Sequence, residues 1–191
     1  MKVLQKIKYL VFIKFRILKY KWLSKCKNIK GKPVVFHPIL LEGKGQIVFG
    51  DNVQIGVKSS PNFYSHYTYL EARFEESRVI IGNNVSINNA FSLIAFSKIT
   101  IEDEVLIGFN CSIIDNDGHE LAIDKRTTGT PKTEDVHISK NVFIGNNVSI
   151  LKGVTIGKNS IIGNGSLVTK DIPENTIAAG NPAKIIRTIH N

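Results

Sequence analysis

The run Asp115-Asn116-Asp117-Gly118-His119 sets an imidazole two residues beyond one carboxylate and four beyond another. Residues of these types can move a proton. Histidine titrates near neutrality, so it can take a proton from an attacking hydroxyl or amine and return one to a leaving group. Asp115 and Asp117 could orient that ring and stabilise its cation, or bind the hydroxyls of an acceptor, and Asn-Asp-Gly is equally ordinary turn chemistry. Cys111 offers a nucleophilic alternative, but it fills a slot held elsewhere by Val148 or Ser160, which marks it as core. A zinc site needs converging ligands. His119 and His137 are eighteen residues apart but separated by irregular sequence, and His37 and His66 have no ligand-like spacing, so no metal is expected.

The elements that must hold these groups are written in a count of six. Ile138, Ile144, Ile150, Ile156, Ile162 and Val168 follow one another at that step, with the small or β-branched Val142, Val148, Val154, Ser160 and Ser166 two places ahead of the last five. The same step joins Phe49 to Ile55, Ile81 to Ile87 and Leu93, and Ile101 to Ile107 and Ile113. Six is neither the period of a strand nor that of a helix. It is an internal repeat, the mark of a chain that turns a corner every six residues, so that three short strands close a triangular coil of eighteen residues with its aliphatic rows inside. Glycine and asparagine follow the aliphatic positions, in FGDN, IGNN, IGKN and IGNG, and both tolerate positive φ at corners. The expected fold is all-β, a parallel β-helix. Its period is lost for 23 residues from Asp115 to His137. A structureless stretch of that length inside a compact repeat is usually functional.

These hexads resemble, over roughly residues 46–187, the hexapeptide-repeat acyltransferases, whose fold is a left-handed parallel β-helix. The handedness rests on the resemblance alone, since parallel crossovers are normally right-handed. Asp-x-Asp-Gly-His is similar to the segment that carries the catalytic histidine in the family's sugar O-acetyltransferases. The resemblance implies that His119 is the general base, that an acceptor oxygen attacks the thioester of acetyl-CoA directly, and that a backbone N–H stabilises the oxyanion. It also implies that Asn88, in IGNNVSINNAF, contacts the acceptor, with Asp115 and Asp117 as further acceptor-binding candidates. The family's acceptor aspartate has no counterpart: Phe96, in SLIAFS, falls about where it would stand, which counts against simple sugars.

The stretch IGNGSLVTKDIPENTIAAGNPAKIIR is similar to nearly the whole C-terminal signature of the family. It implies a coenzyme A groove between neighbouring subunits of a closed homotrimer. Asn146 and Asn164 would contact the pantetheine arm, Thr169 and Lys170 would hold it further along, and Lys184 and Arg187 would reach the phosphates, a task that suits cations.

Charge sets the first 32 residues apart. They hold eleven of the 25 Lys and Arg and no acid, which leaves fourteen bases against sixteen acids for the rest, so the net charge of +9 belongs to the head. In it Leu4, Ile7, Val11, Phe15, Leu18 and Trp22 recur at the helical period, while Tyr9, Ile13 and Ile17 blunt the stripe from the opposite side. The longest uncharged run, Tyr9 to Ile13, is too short to span a bilayer or to form the core of an export signal. The expectation is an amphipathic helix lying on an anionic membrane surface, ahead of one packed on the domain or against an oligomer partner. Nucleic acid is not expected, because the basic residues interleave with large apolar ones and no recognition motif follows. Two cysteines are too few for a disulfide framework, which points to a reducing compartment and a cytoplasmic protein, peripheral on the inner face of the membrane.

The expected organisation is thus a basic helical segment over 1–32, a β-helix domain over 33–187 with a loop at 115–137, and a tail over 188–191. The expected activity is acetyl-CoA-dependent O-acetylation, or N-acetylation, of a carbohydrate, in the building of surface polysaccharide. Two other classes stand beside it, a xenobiotic acetyltransferase and a noncatalytic β-helix scaffold, since the hexads speak for the fold and not for the function.

Overall fold

The computed structural model describes residues 7–190; Leu4 of the apolar stripe, the rest of residues 1–6 and Asn191 of the tail lie outside them. From Asn28 the chain winds into a triangular prism. One sheet stacks Asn28–Lys30, Gln46–Phe49, Arg78–Ile81, Lys98–Ile101, Val136–Ile138 and Thr155–Ile156. The second begins at Val34–Val35 and passes through Ser86–Ile87, Leu106–Ile107 and Phe143–Ile144, and the third begins at Ile39–Gly43 and passes through Thr68–Ala72, Ser92–Ala95 and Ser112–Ile114 to Leu167–Val168. Strands one coil apart pair in parallel and in register, as Ile81 with Ile101 and Ile101 with Ile138. Among the described strands the direction reverses at the end of the second sheet, where Lys184–Thr188 runs antiparallel to Thr176–Ala179.

Two-residue strands hold because their second residue is always inward. In Ser86–Ile87, Leu106–Ile107 and Phe143–Ile144 the isoleucine is buried and its neighbour is not. The small residue two places earlier, such as Val85, Val105, Cys111, Val142 or Val148, is buried as well, so the six-residue rows line one continuous core. Each buried isoleucine contributes roughly 1.5–3 kcal/mol of transfer free energy, and stacking gives each short strand two neighbours to bond.

The corners divide the work between two residues, and differently from the sequence expectation. Gly56 apart, the glycine straight after the inward aliphatic residue does not have positive φ; after Gly50, Gly82, Gly145 and Gly157 that falls two places later, at Asn52, Asn84, Asn147 and Asn159. The glycine is needed for close approach. A Cβ at Gly108 would lie 2.5 Å from Asn146 Oδ1 and 2.6 Å from the Gly145 backbone, and one at Gly82 would lie 2.5 Å from Asp103 Oδ1. The side chain after it bonds back to the previous coil: Asn83 Oδ1 accepts from Asp51 N–H at 2.8 Å and Asn146 Oδ1 from Phe109 N–H at 3.0 Å.

Three boundaries differ from the expectation. The coils start at Asn28, inside the segment assigned to the head, because Asn28–Lys30 pairs with Gln46–Val48. The long loop closes at Asp135, since Val136 and His137 already pair with Ile99 and Thr100. A second excursion, residues 57–67, leaves after Gln54–Ile55 and returns at Thr68. Buried Asn89 secures it, accepting from Val57 N–H and donating to the carbonyls of Val57, Ser60 and Pro61.

The head is helical, with a π turn at Leu10–Lys14 leading into an α-helix at Phe15–Leu23. Ser24 ends it, bonding Tyr20 O through its N–H and hydroxyl and accepting from Leu41 N–H, which ties the helix to the strand Ile39–Gly43. Ile13 is fully buried, Arg16 donates to the carbonyls of Phe63 and His66, and Tyr20 stacks on Tyr67 at 4.6 Å between centroids. The helix therefore sits on the 57–67 excursion.

Candidate active site

The loop that carries His119 leaves the third sheet after Ile114 and enters the first at Val136, so it is rooted on the edge between those two sheets. Its base is fastened from both sides. Asn116 bridges to Thr133 in antiparallel fashion, Asp117 N–H donates to Lys132 O, and Glu134 N–H donates to Asp115 O. Lys152, from the coil below, lies 3.1 Å from Glu134 Oε1 and 3.4 Å from Asp117 Oδ2, and Lys132 lies 2.8 Å from Glu134. Lys132 and then Lys152 hold the Glu134 carboxyl below the usual carboxylate range, and Glu134 in turn raises Lys152.

The two aspartates serve this base and not the imidazole. Asp115 is fully buried; Oδ1 accepts from Phe96 N–H at 2.7 Å and from Asn116 Nδ2, and Oδ2 accepts from Ser97 N–H at 2.8 Å. It holds the corner beneath the loop and has no free oxygen edge for an acceptor. Asp117 keeps one buried oxygen within ion-pair reach of Lys152 but outside hydrogen-bond geometry. The partner of His119 is the carbonyl of Arg126, 3.1 Å from Nδ1 across the loop. A carbonyl can only accept, so Nδ1 carries the hydrogen, and in the neutral form of this exposed ring Nε2 keeps its lone pair. That is the tautomer a general base needs. A contact made through backbone leaves no mark in side-chain identity, and the sequence could not name it.

The remaining candidates fall on two edges of the prism. Thr169 and Lys170 share the His119 edge, exposed at the corner after Leu167–Val168. Asn88, Asn146 and Asn164 stand on the edge between the second and third sheets. There Asn88 and Asn146 line one shallow hollow of about 190 Å³ together with Val57, Ser86, Leu106 and Phe143, and Asn164 Oδ1 accepts from Asn146 N–H at 2.7 Å. The asparagine carbonyls are thus spent on the corner ladder, while the Nδ2 groups of Asn146 and Asn164 have no protein partner among the described residues. Lys184 and Arg187 lie exposed on the terminal antiparallel strand. No single chain brings His119 and the asparagine edge together.

Where the acceptor aspartate was missing, the structure builds an aromatic corner that sequence spacing did not reveal. Phe96 meets Phe74 edge-on at 5.2 Å, and the Arg73 guanidinium lies 4.7 Å above the Phe96 ring. Glu71 holds that guanidinium through two bonds of 2.8 and 3.0 Å and also accepts from Tyr69 Oη. Phe74 remains half-exposed beside the root of the His119 loop.

Two other chemistries lack their equipment. Cys111 is buried, donates to Gly145 O, and has its thiol pushed up to about 11, mainly by burial, which withholds the thiolate a nucleophile needs. Among the described residues no three His, Cys, Asp or Glu side chains converge as metal ligands; His137 instead pairs with Glu102 at 2.9 Å on the outer face of the first sheet.

Comparison with known proteins agrees with this architecture. The family described as bacterial transferase hexapeptide (six repeats) matches residues 135–170. The chain is 34% identical over 172 residues to the galactoside O-acetyltransferase of Escherichia coli K12, covering 86% of this chain and 80% of that one. It spans 61% and 58% of the length of two further relatives, from Saccharomyces cerevisiae and Lactococcus lactis. Among solved structures, a galactoside acetyltransferase in complex with coenzyme A superposes with a TM-score of 0.55 at 30% identity, over 83% of this chain and 64% of that one. A polysialic-acid-specific acetyltransferase gives 0.57 at 31%, over 86% and 80%. The prism is the left-handed parallel β-helix of these enzymes, and the chain belongs to the family of hexapeptide-repeat acetyltransferases.

Proposed function

We propose that this protein is an acetyl-CoA-dependent O-acetyltransferase that modifies a carbohydrate, with His119 as its general base. The observation that carries the reading is the His119 ring, held by the Arg126 carbonyl at Nδ1 and free at Nε2 on a loop whose base is locked by Asp115 and Lys152. Nε2 takes the proton of an acceptor hydroxyl as its oxygen attacks the thioester carbonyl, and the imidazolium returns the proton to the departing sulfur. No acyl-enzyme is needed.

The co-substrate fits the chain's own groups. The unpartnered amides of Asn146 and Asn164 suit the pantetheine arm, Thr169 and Lys170, exposed on the His119 edge, suit its continuation along the neighbouring copy, and the exposed Lys184 and Arg187 suit the phosphates. Because His119 and the asparagines occupy different edges, a neighbouring copy completes each site, as in a closed homotrimer. Asn88 then contacts the acceptor from the second chain, while Asp115 and Asp117 act by holding the loop. The half-exposed Phe74, backed edge-on by Phe96, offers a stacking platform for a sugar ring, which favours an oligosaccharide or a carrier-linked sugar of surface polysaccharide over a small free sugar.

The test is thiol release from acetyl-CoA by the full-length protein with free, nucleotide-linked and lipid-linked sugars. Acceptor-dependent release is expected, with His119→Gln lowering kcat by about 10²–10⁴-fold and leaving the affinity for coenzyme A unchanged. Full activity in His119→Gln would remove the proposed base, and failure to bind coenzyme A would favour a noncatalytic scaffold.

A further inference from the structure

We infer that the outward side of the N-terminal helix is a docking surface for an anionic lipid bilayer, an inference that stands apart from the acetyl-transfer reading. The helix has two apolar sides, and the body uses one. Tyr9, Ile13, Arg16, Ile17 and Tyr20 are the shielded positions, with Ile13 wholly buried. This explains why the stripe looks blunted in sequence: its apolar residues serve two surfaces. On the other side Ile7, Leu10, Val11, Phe15, Leu18 and Trp22 are between 51% and 85% exposed. A continuous apolar strip of this kind on a soluble surface marks an interaction site.

Charge decides the occupant. Lys8, Lys14, Lys19, Lys21, Lys25 and Lys27 are exposed along and just beyond the helix, and residues 1–32 contain no acid to answer them. A second copy of the same strip would bring ammonium groups against ammonium groups. An anionic bilayer meets both features at once, since its acyl boundary accepts the strip and its headgroups accept the lysines, whose stems reach outward. No described helix is long and apolar enough to cross a membrane, so this one lies along the surface. Arg16, the Tyr20–Tyr67 stack and Lys58 over the Tyr9 ring fix the helix to the body, so the strip has a set direction relative to the coils.

Trp22 is the chain's one tryptophan and 85% exposed, so its emission reports on the strip directly. Full-length protein is titrated with phosphatidylcholine vesicles, with and without phosphatidylglycerol. With the anionic vesicles, Trp22 emission is expected to shift to the blue and to be quenched by brominated lipid. Binding should be about tenfold or more tighter than to neutral vesicles, and weaker as salt rises. The double variant Phe15→Glu, Leu18→Glu should lose about tenfold or more in binding while keeping its melting temperature and sedimentation coefficient. Equal binding to both vesicles, no blue shift, or an oligomer that falls apart in the double variant would overturn the inference, the last because a second copy would then own the strip. Lipid binding without acetyl transfer would leave it standing and count only against the catalytic reading.

Discussion

His37 takes no part in the proposed chemistry, yet it makes the fold sensitive to acid. The ring is fully buried, with Nε2 3.1 Å from the Asn62 carbonyl and Nδ1 without a partner. Burial, reinforced by the nearby Arg16 and His66 charges, lowers its pKa to about 4 in the folded protein. In the unfolded chain it is near 6.5. Between those values the unfolded state binds a proton that the native state refuses, so stability is fully present above the upper value and falls as pH drops toward the lower one. The loss amounts to about 3 kcal/mol and levels off below pH 4. Denaturant unfolding from pH 7 to pH 4 should show a steeper decline in the native protein than in His37→Gln, and identical slopes would refute the assignment. The other residue-scale lesson concerns Asp115, whose place beside His119 in sequence suggested a role in catalysis. Its carboxylate proves to cap the Phe96 and Ser97 amides, and nothing in a one-dimensional spacing tells a carboxylate facing substrate from one facing backbone.

At the scale of elements, the count of six made the coils, the inward rows and the His119 loop legible, because burial of one aliphatic residue per strand imposes that period on the chain itself. The excursion at 57–67 left no such trace. It folds on local turn chemistry and on Asn89, a side chain from the next coil, and buries Phe63 near His37 in place of an aliphatic row. The corner glycines were visible, but their reason was not, since close approach between coils exists only after stacking. Gly108→Ala should therefore destabilise by about 1–3 kcal/mol, as its methyl meets Asn146 Oδ1 and the Gly145 backbone. Asn110→Gly, at a positive-φ position two residues on, should cost less. Thermal melts of the two variants check the order, and a Gly108→Ala protein as stable as the native one would show that the coils can part at no cost.

For the whole molecule, the separation of His119 from the Asn88 edge has a consequence that kinetics can read. His119→Ala and Asn88→Ala proteins are each expected to be impaired, but subunits exchanged between them in equal amounts should recover up to about one quarter of the sites, those in which an intact histidine meets an intact asparagine from the next chain. If each chain held a complete site, mixing would recover nothing. Sedimentation of the mixture confirms that exchange has occurred.

The stack is also a ruler. The N-terminal helix is tied to Ile39–Gly43, and the His119 loop departs from Ser112–Ile114, three strands further along the same sheet. Parallel neighbours lie about 4.8 Å apart, so the number of coils between them sets the height of the reactive loop above the helix in fixed steps. A duplication or loss of one whole coil would preserve every corner and every inward row and change only that height, so descendants of this chain could be matched to a thicker or thinner layer of glycan one rung at a time.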